Sequence, residues 1–577
     1  MSDVLKLTFV HCQNRVFADT QMFGIHFMPV WAYTLAAHLA RLPGIDMALF
    51  DDRFDRIAGV GPADAFLFTG INQDYDAIVA THSTLKLRFP TARFVIGGPI
   101  GWSLDTAGKT DRLGMFDHIF VGDGEETVQQ FALSLRSGTS LPKVICAPRR
   151  FNVRQALPMH RPLLEKTIGR YYGAVLEVSR GCPFLCEFCD IRVLPDNNRT
   201  HTKDPALIVS ELDTLYDLGA RQVLFACDNF IGNHRWAEAV CDQILDWQQR
   251  TGKRLSLYTW LTINLWKHPR LLRKLRMANF DMFFIGVESF NQSSLLEMAK
   301  VQNTAPQLVR ALRTIQSYGF LVVAGLIFGF DTEPDNVTEL TLKGLLDSGL
   351  ISGDPSLLTA IPGTPLYERM RMSNRLRHEA DFGLGGFKYQ TNIRYLKPAE
   401  RIRSDFQKFV REFNRGSYQY RRLMAFYDRI ESDTYITPET AGYADMKRLL
   451  LMTLKNRRSI HLLWLRLFRL LRSPRRCGYI ARAFLHTLRR TSRERPLWFY
   501  FKFWLFNWSN SFMKYAQLSD ADFDVASVGD GFVMDRLLPE FYERSYREQI
   551  PETKIRAQRR ITAAALRNFL TVPVQHS

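Results

Sequence analysis

Twice along this chain, short apolar runs alternate with amphipathic stretches, and that alternation leaves few folds open. In the first 130 residues the runs are LKLTFVHC, IDMALFDD, AFLFTGI, RFVIGG and HIFVGDG, each ended by Gly, Asp or another polar residue. Stretches such as VWAYTLAAHLARL separate them, a pattern that predicts a parallel sheet with helices on both faces. After a proline-rich connector around 147–162 come six more runs: AVLEVS, QVLFAC, LSLYTWL, MFFIGVE, LVVAGLIFG and SLLTAI. The segments between them, such as DPALIVSELDTLYDLG and PDNVTELTLKGLLDSG, begin with an acidic or Asp-Pro cap signal and close on Gly. Six such units predict a partial (β/α)6 barrel. The last 180 residues lose the alternation and read as mostly helical, so the expected division is 1–145, 146–395 and 396–577.

Both α/β architectures place ligands at the carboxyl ends of their strands. In the first sheet Thr69, the turn Gly97-Gly98-Pro99 and the turn Gly122-Asp123-Gly124-Glu125 fall there. Glycine in such a turn lets backbone approach a ligand closely, although an ordinary strand-end turn has the same composition.

A chain of 577 residues with 46% hydrophobic and 23% charged residues has ample core for several domains, which excludes a disordered, collagenous or coiled-coil protein. The opening MSDVLKLTFVHCQ carries Asp3 and no apolar stretch of signal-peptide length, so a cytoplasmic protein is expected. Net charge is +18, and residues 401–577 hold 33 Lys and Arg against 17 Asp and Glu, so the basicity lies at one end. Within 451–510 there are 14 Lys and Arg and one acid, Glu494, interleaved with Trp, Phe and Leu. The longest charge-free piece there, 503–513, is too short to span a bilayer of about 20 helical residues, so this region can lie on an anionic surface but not cross a membrane.

Three of the eight cysteines stand together in Arg180-Gly181-Cys182-Pro183-Phe184-Leu185-Cys186-Glu187-Phe188-Cys189, on a loop after the first barrel strand. Zinc wants a fourth ligand, and His201 is separated by a long loop. Three thiolates suit instead a 4Fe-4S cluster with one iron left open, whereas an electron carrier usually supplies all four. The other five cysteines are expected to be buried thiols.

The Cys-x3-Cys-x2-Cys spacing, its place after the first strand and the aromatic Phe188 resemble the radical S-adenosylmethionine (SAM) superfamily. The resemblance implies that Cys182, Cys186 and Cys189 are the catalytic and metal-binding residues, that the open iron chelates SAM, and that one electron cleaves SAM to methionine and a 5′-deoxyadenosyl radical. It also implies that polar residues at the barrel mouth hold SAM: Asp228 and Asn229 after the second strand, Thr262 and Asn264 after the third, and Glu288 after the fourth. Gly325 and Gly329 are expected to admit the adenine. For each polar residue a helix cap or strand-end hydrogen bond is the plain alternative.

An α/β domain upstream of such a barrel is similar to the cobalamin-binding domain of cobalamin-dependent radical SAM enzymes. Its signature is matched by Asp19-Thr-Gln21-Met-Phe-Gly24, by Thr69-Gly-Ile71 and by Gly97-Gly98, with Gln21 where the family's histidine stands. That substitution implies a cobalt without a protein imidazole. The expected fold is therefore a Rossmann-like cobalamin-binding domain, a radical SAM partial barrel and a basic, aromatic-rich helical domain. Within the subfamily, GCPFLCEFCDI, DNFIGN, GVES, GLIFGFDT and PGTPLYERM most resemble the hopanoid C-2 methylase type. The resemblance implies methyl transfer to an unactivated carbon of a small, apolar or lipid-like substrate, with a reductant such as flavodoxin or ferredoxin. The competing readings are a cyclase or oxidase using both cofactors without net methyl transfer, an RNA-modifying enzyme that uses the basic tail, and a cluster-bearing electron carrier. For the tail, an ordinary helical domain packed on the barrel with its basic face solvated stands beside peripheral contact with the inner face of an anionic membrane, with RNA as the weaker candidate.

Overall fold

The computed structural model describes residues 4–13, 27–194, 196–300, 302–377, 389–439, 457–515, 518–529 and 532. Asp19, Gln21 and Gly24 lie outside them.

The first sheet is formed by β1 (Leu5–His11), β2 (Ile45–Asp51), β3 (Ala65–Thr69), β4 (Arg93–Gly97), β5 (His118–Val121) and β6 (Val144–Cys146). All neighbours run parallel, in the order β2-β1-β3-β4-β5-β6. The order reverses between β1 and β3, and an open crevice forms beyond the carboxyl ends at such a point. Helices cover both faces, and the inward strand residues, among them Phe9, Phe66 and Val95, are almost fully buried. The strand β6 is not foreseen from sequence because three residues between Pro142 and Pro148 show no periodicity.

The second sheet begins with β7 (Ala174–Glu177), followed by a two-residue antiparallel pair, β8 (Ser179–Arg180) with β9 (His201–Thr202), that frames the cysteine loop. It continues through β10 (Gln222–Ala226), β11 (Ser256–Leu261), β12 (Phe280–Glu288), β13 (Leu321–Phe328) and β14 (Ser352–Leu357). The order β14-β13-β12-β11-β10-β7 is sequential and parallel, and β14 and β7 do not pair, which makes an open barrel of six strands. The sixth strand, expected over 356–361, lies four residues earlier. It contains Asp354 and Pro355, which look like breakers, but β14 is an edge strand and its proline needs no partner on the open side. The helix Pro205–Asp217 starts at Asp204, whose carboxylate accepts from Ala206 N at 2.7 Å, and Val337–Ser348 ends on Gly349 in the left-handed conformation, as the cap signals predict.

Beyond the barrel, β15 (Gln390–Tyr395) pairs in parallel with β16 (Asp524–Ser527), a strand within the segment expected to be helical. The helices Ala399–Phe413, Gly416–Ile430, Arg457–Leu471, Pro474–Arg490 and Trp498–Tyr515 make up most of the rest. Trp498–Tyr515 is not a surface helix: Tyr500, Trp504, Trp508 and Tyr515 recur at helical spacing and are buried. Their polar ends are satisfied inside, Trp504 Nε1 donating to Gln419 O at 3.1 Å and Tyr515 OH to Pro355 O at 2.9 Å. Half of the aromatic run in the basic tail is therefore core. Among the described residues no helix is long and apolar enough to cross a membrane.

Candidate functional site

The cysteine loop is held by backbone and buried charge. Gly181 turns it with φ +88°, and a Cβ there would lie 2.1 Å from Arg199 O, so only glycine fits. Cys182 N donates to Asn197 O at 2.9 Å and Glu187 N to Met298 O at 3.0 Å. The Glu187 carboxylate accepts two bonds from Arg369, at 2.8 and 2.9 Å, with both side chains buried. That pair fixes the loop against the helix Pro365–Met372.

The three cysteines line one cavity of about 700 Å³, into which the carboxyl ends of both sheets open. On the first-sheet side it is lined by Thr69, Gly97, Gly98, Pro99 and the turn Gly122-Asp123-Gly124-Glu125, and on the barrel side by Phe188, Asp228, Thr262 and Glu288. Trp31, Trp102, Trp260 and Phe284 supply apolar walls. Cys12, Cys227 and Cys241 are buried as expected of plain thiols, whereas Cys146 is exposed and Cys477 partly so.

Four expected residues do not line this cavity. Asn229 is fully buried behind it and donates from Nδ2 to Cys182 Sγ at 3.8 Å, while accepting from Thr262 Oγ1 at 3.5 Å. The hydroxyl of Thr262 also meets the Asn264 amide oxygen. Gly325 and Gly329 each face an aromatic ring of the protein: a Cβ at Gly325 would lie 2.9 Å from the Phe284 ring, and one at Gly329 2.7 Å from that of Tyr395.

The glycine turns of the first sheet are likewise explained by the protein's own packing. Gly98 has φ +78°, and a Cβ there would lie 2.1 Å from Thr69 Oγ1, which itself donates to Gly97 O at 3.2 Å. The carboxylates in the next turn are already engaged. Asp123 accepts from Arg150 at 2.8 Å and from Arg180 at 3.0 Å, and Glu125 meets the same Arg180. Arg180 also takes both oxygens of Glu177, at 2.7 and 2.9 Å. Asp123 and Glu125 thus tie the first sheet to the residue beside the cysteine loop. Burial acts against ionising Glu177, but Arg180 outweighs it and holds that carboxyl below its ordinary range; at Glu125 burial wins and the carboxyl is raised.

Sequence reasoning missed Lys300 and Gln302, because nothing in the run EMAKVQN marks them. Lys300 Nζ lies 2.7 Å from Glu288 Oε1 and 5.5 Å from the Phe188 ring centroid. Burial disfavours the ammonium, but Glu288 and Cys186 outweigh it and keep it charged. Glu288 holds its place with φ +63°, a strained value for a residue with a side chain. Gln302 donates from Nε2 to Cys186 Sγ at 3.4 Å. Burial raises the Asp228 carboxyl to about 6 against the bond it accepts from Gly181 N at 2.5 Å.

Residues 176–343 match the model of the Radical SAM superfamily. They form a radical SAM domain. The chain is 30% identical over 355 residues to the hopanoid C-2 methylase of Rhodopseudomonas palustris (strain TIE-1), an alignment that covers 58% of this chain and 63% of that protein. The chain thus spans about three-fifths of the length of the curated relatives it matches. Among solved structures it is similar to the radical SAM methyltransferase TsrM from Kitasatospora setae with cobalamin and a [4Fe-4S] cluster bound, at 16% identity and TM-score 0.52, covering 65% of this chain and 79% of that one. It is also similar to the cobalamin-dependent radical enzyme OxsB with aqua-cobalamin and SAM bound, at 12% identity and TM-score 0.54, covering 98% of this chain and 84% of that one. These two likenesses show a shared fold.

The radical SAM domain fits a cluster by the chemistry of its donors. Burial pushes the Cys182 thiol up to about 11 and the Cys189 thiol well above its ordinary value, so without a metal these sulfurs stay protonated, and ligation is what turns them into thiolates. The N–H groups of Asn229 and Gln302 point at two of the three sulfurs, as suits sulfur that carries charge. Among the described residues no three His, Cys, Asp or Glu side chains are arranged to hold a single metal ion. In a cluster each thiolate binds a different iron. The cavity also fits polar ligands: Trp31 Nε1, Trp102 Nε1, Glu125 Oε2, Arg150 Nε and Gln302 Oε1, all on lining residues, are buried with no partner among the described residues.

Proposed function

We propose that this chain is a cobalamin-dependent radical SAM enzyme that transfers a methyl group to an unactivated carbon of an apolar, lipid-like substrate. The observation that carries the reading is that a glycine-edged sheet and a cysteine-bearing barrel open on one cavity of about 700 Å³. Similarity to the hopanoid C-2 methylase supports the reaction class, and the folds shared with TsrM and OxsB support the cofactor set. When bound, a 4Fe-4S cluster, SAM and methylcobalamin supply an electron, a radical precursor and a methyl group.

In this reading Cys182, Cys186 and Cys189 hold the cluster, and Asn229 and Gln302 donate hydrogen bonds to its sulfur ligands. The backbone at Thr69, Gly97-Gly98-Pro99 and Gly122-Asp123-Gly124 forms the cobalamin side. Asp228, Thr262 and the Glu288–Lys300 pair take the polar end of SAM, a carboxylate and an ammonium facing an ammonium and a carboxylate. Arg180 keeps the two sides in register through Asp123 and Glu125. Trp31, Trp102, Trp260 and Phe284 exclude water, which a reactive intermediate requires. A flavodoxin or ferredoxin as electron source, and peripheral contact with the inner face of an anionic membrane, belong to the same reading.

Anaerobic reconstitution with iron, sulfide and cobalamin is expected to give iron–sulfur and corrin absorbance, 5′-deoxyadenosine under dithionite, and transfer of label from methyl-labelled SAM to a polycyclic lipid. Cys186→Ala is expected to lose the iron–sulfur absorbance and bring 5′-deoxyadenosine to background. A Cys186→Ala protein that still forms 5′-deoxyadenosine overturns the cluster assignment, and a wild-type protein that takes up no corrin overturns the cobalamin assignment.

A further inference from the structure

Residues 457–490 hold ten arginines and no acidic residue. They build two helices, Arg457–Leu471 and Pro474–Arg490, whose inner sides join a core with Trp504 and Tyr500 through Leu470 and Ala483. A surface helix normally turns polar side chains outward once its inner face is packed. Here the outward stripe is apolar. Trp464, Phe468 and Leu471, spaced by four and three residues, are 69%, 64% and 51% exposed, and on the second helix Leu485 and Leu488 are 46% and 54% exposed.

The charges beside this stripe are also unspent. Arg472, Arg475 and Arg489 are exposed with no carboxylate partner among the described residues, whereas Arg482, exposed as well, lies over the Tyr479 ring at 5.6 Å. Neighbouring arginines behave differently: Arg490 pairs with Asp428 at 2.9 Å and Glu431 at 2.7 Å, and Arg476 lies over the Phe512 ring at 4.3 Å. Exposed Trp, Phe and Leu among unneutralised cations is the composition that suits an anionic lipid surface, where rings and aliphatic chains enter the acyl boundary and guanidinium groups meet phosphate. RNA would reward the aromatic rings by stacking, but it offers nothing to Leu471, Leu485 and Leu488.

We propose that the outward faces of Arg457–Leu471 and Pro474–Arg490 dock this protein on the surface of an anionic membrane, with Trp464, Phe468 and Leu471 as the inserted stripe. The proposal deepens the membrane contact of the functional reading and is independent of the reaction, because its test reads partitioning and no product.

The full chain is to be co-sedimented with phosphatidylcholine vesicles, with and without phosphatidylglycerol. Wild-type protein is expected to pellet only with the anionic vesicles, and to be released as salt rises from about 0.1 to about 0.5 M and the screening length shortens. Trp464→Ser with Phe468→Ser is expected to weaken partitioning by at least about tenfold, since two large apolar side chains no longer leave water. Arg472→Gln with Arg475→Gln is expected to shift half-release to lower salt. All four side chains are exposed, so circular dichroism should match wild type. Wild-type protein left in the supernatant with anionic vesicles, retention on an RNA oligomer without vesicle binding, or a Trp464/Phe468 variant that binds as tightly as wild type overturns the proposal.

Discussion

The two parallel sheets reach the same cavity with different materials. At the edge of the barrel, side chains do the work: thiols at Cys182, Cys186 and Cys189, a carboxylate at Asp228, and the Glu288–Lys300 pair. At the edge of the first sheet the lining is mostly backbone and small side chains, and the two carboxylates there, Asp123 and Glu125, are bound to arginines. A side-chain edge announces its chemistry by residue type and spacing. A backbone edge announces only that the chain turns, so what the first sheet could hold is far less legible than what the barrel could.

Arg180 is where the two edges meet, and its removal should have the largest effect. Arg180→Gln leaves Glu177, Asp123 and Glu125 short of their shared cation inside the protein, and breaking a buried ion network of this kind costs about 3–5 kcal/mol. Urea denaturation should show that loss at neutral pH. The gap should narrow as pH falls. In the wild type, Glu177 is held below its ordinary range, so its contribution is full above the unfolded pKa and lost as pH drops through the folded one. In the variant the same carboxyl is raised by burial, so acid relieves it. A gap that stays constant down to about pH 5 would mean that Arg180 acts through packing, and the comparison of the two edges would lose its joint.

The first sheet carries a test of its own, away from the cavity. At the end of β2, Asp51 is paired with Arg53 at 2.6 Å and, against burial, held at about 2, whereas burial raises its neighbour Asp52 to about 6. A raised carboxyl is most stabilising below its unfolded pKa and costs stability as pH climbs through the folded value. Asp52→Asn is therefore expected to stabilise the protein by about 1–3 kcal/mol at pH 8 and by little at pH 4. Thermal melts at the two pH values check the sign.

On the barrel side, Gln302→Ala should leave the fold unchanged and act on the cluster. Removing the N–H that points at Cys186 Sγ is expected to move the cluster's midpoint potential to more negative values and slow 5′-deoxyadenosine formation by about threefold to tenfold, about the worth of one hydrogen bond. Spectroelectrochemistry reads the potential directly. The smallest effect is expected at Thr69, whose hydroxyl donates to Gly97 O: Thr69→Val should cost at most about 1 kcal/mol in stability while lowering corrin uptake slightly. A Thr69→Val protein that binds no corrin would show that a side chain, and not the backbone, governs the first-sheet edge.

Several features are legible in the sequence because local chemistry sets them. Short apolar runs closed by polar turns place ten of the twelve strands of the two sheets, and Asp204 and Gly349 bound helices where cap chemistry requires it. Cys182, Cys186 and Cys189 lie close in sequence, so their gathering needs only one loop. The strand β6 is too short for a pattern, and β14 is displaced from its expected place because the tolerance of an edge strand for proline depends on which neighbour is absent.

What the tertiary structure decided are the pairings between distant segments. Nothing in the chain says that Asp123 and Glu125 meet Arg180, that Lys300 turns to Glu288, or that Gln302 reaches Cys186 across 116 residues. The space beside Gly325 and Gly329 is likewise a property of packing: the rings of Phe284 and Tyr395 take it, and a glycine's composition is the same whether a ring or an adenine stands opposite. The same holds for the basic tail, where the aromatics of Trp498–Tyr515 are buried and Trp464, Phe468 and Leu471 are exposed. Sequence determined which residues could bury themselves or hold a ligand; which of them did depended on what the fold set against each one, because burial, ion pairing and desolvation are properties of neighbours and not of the residue alone.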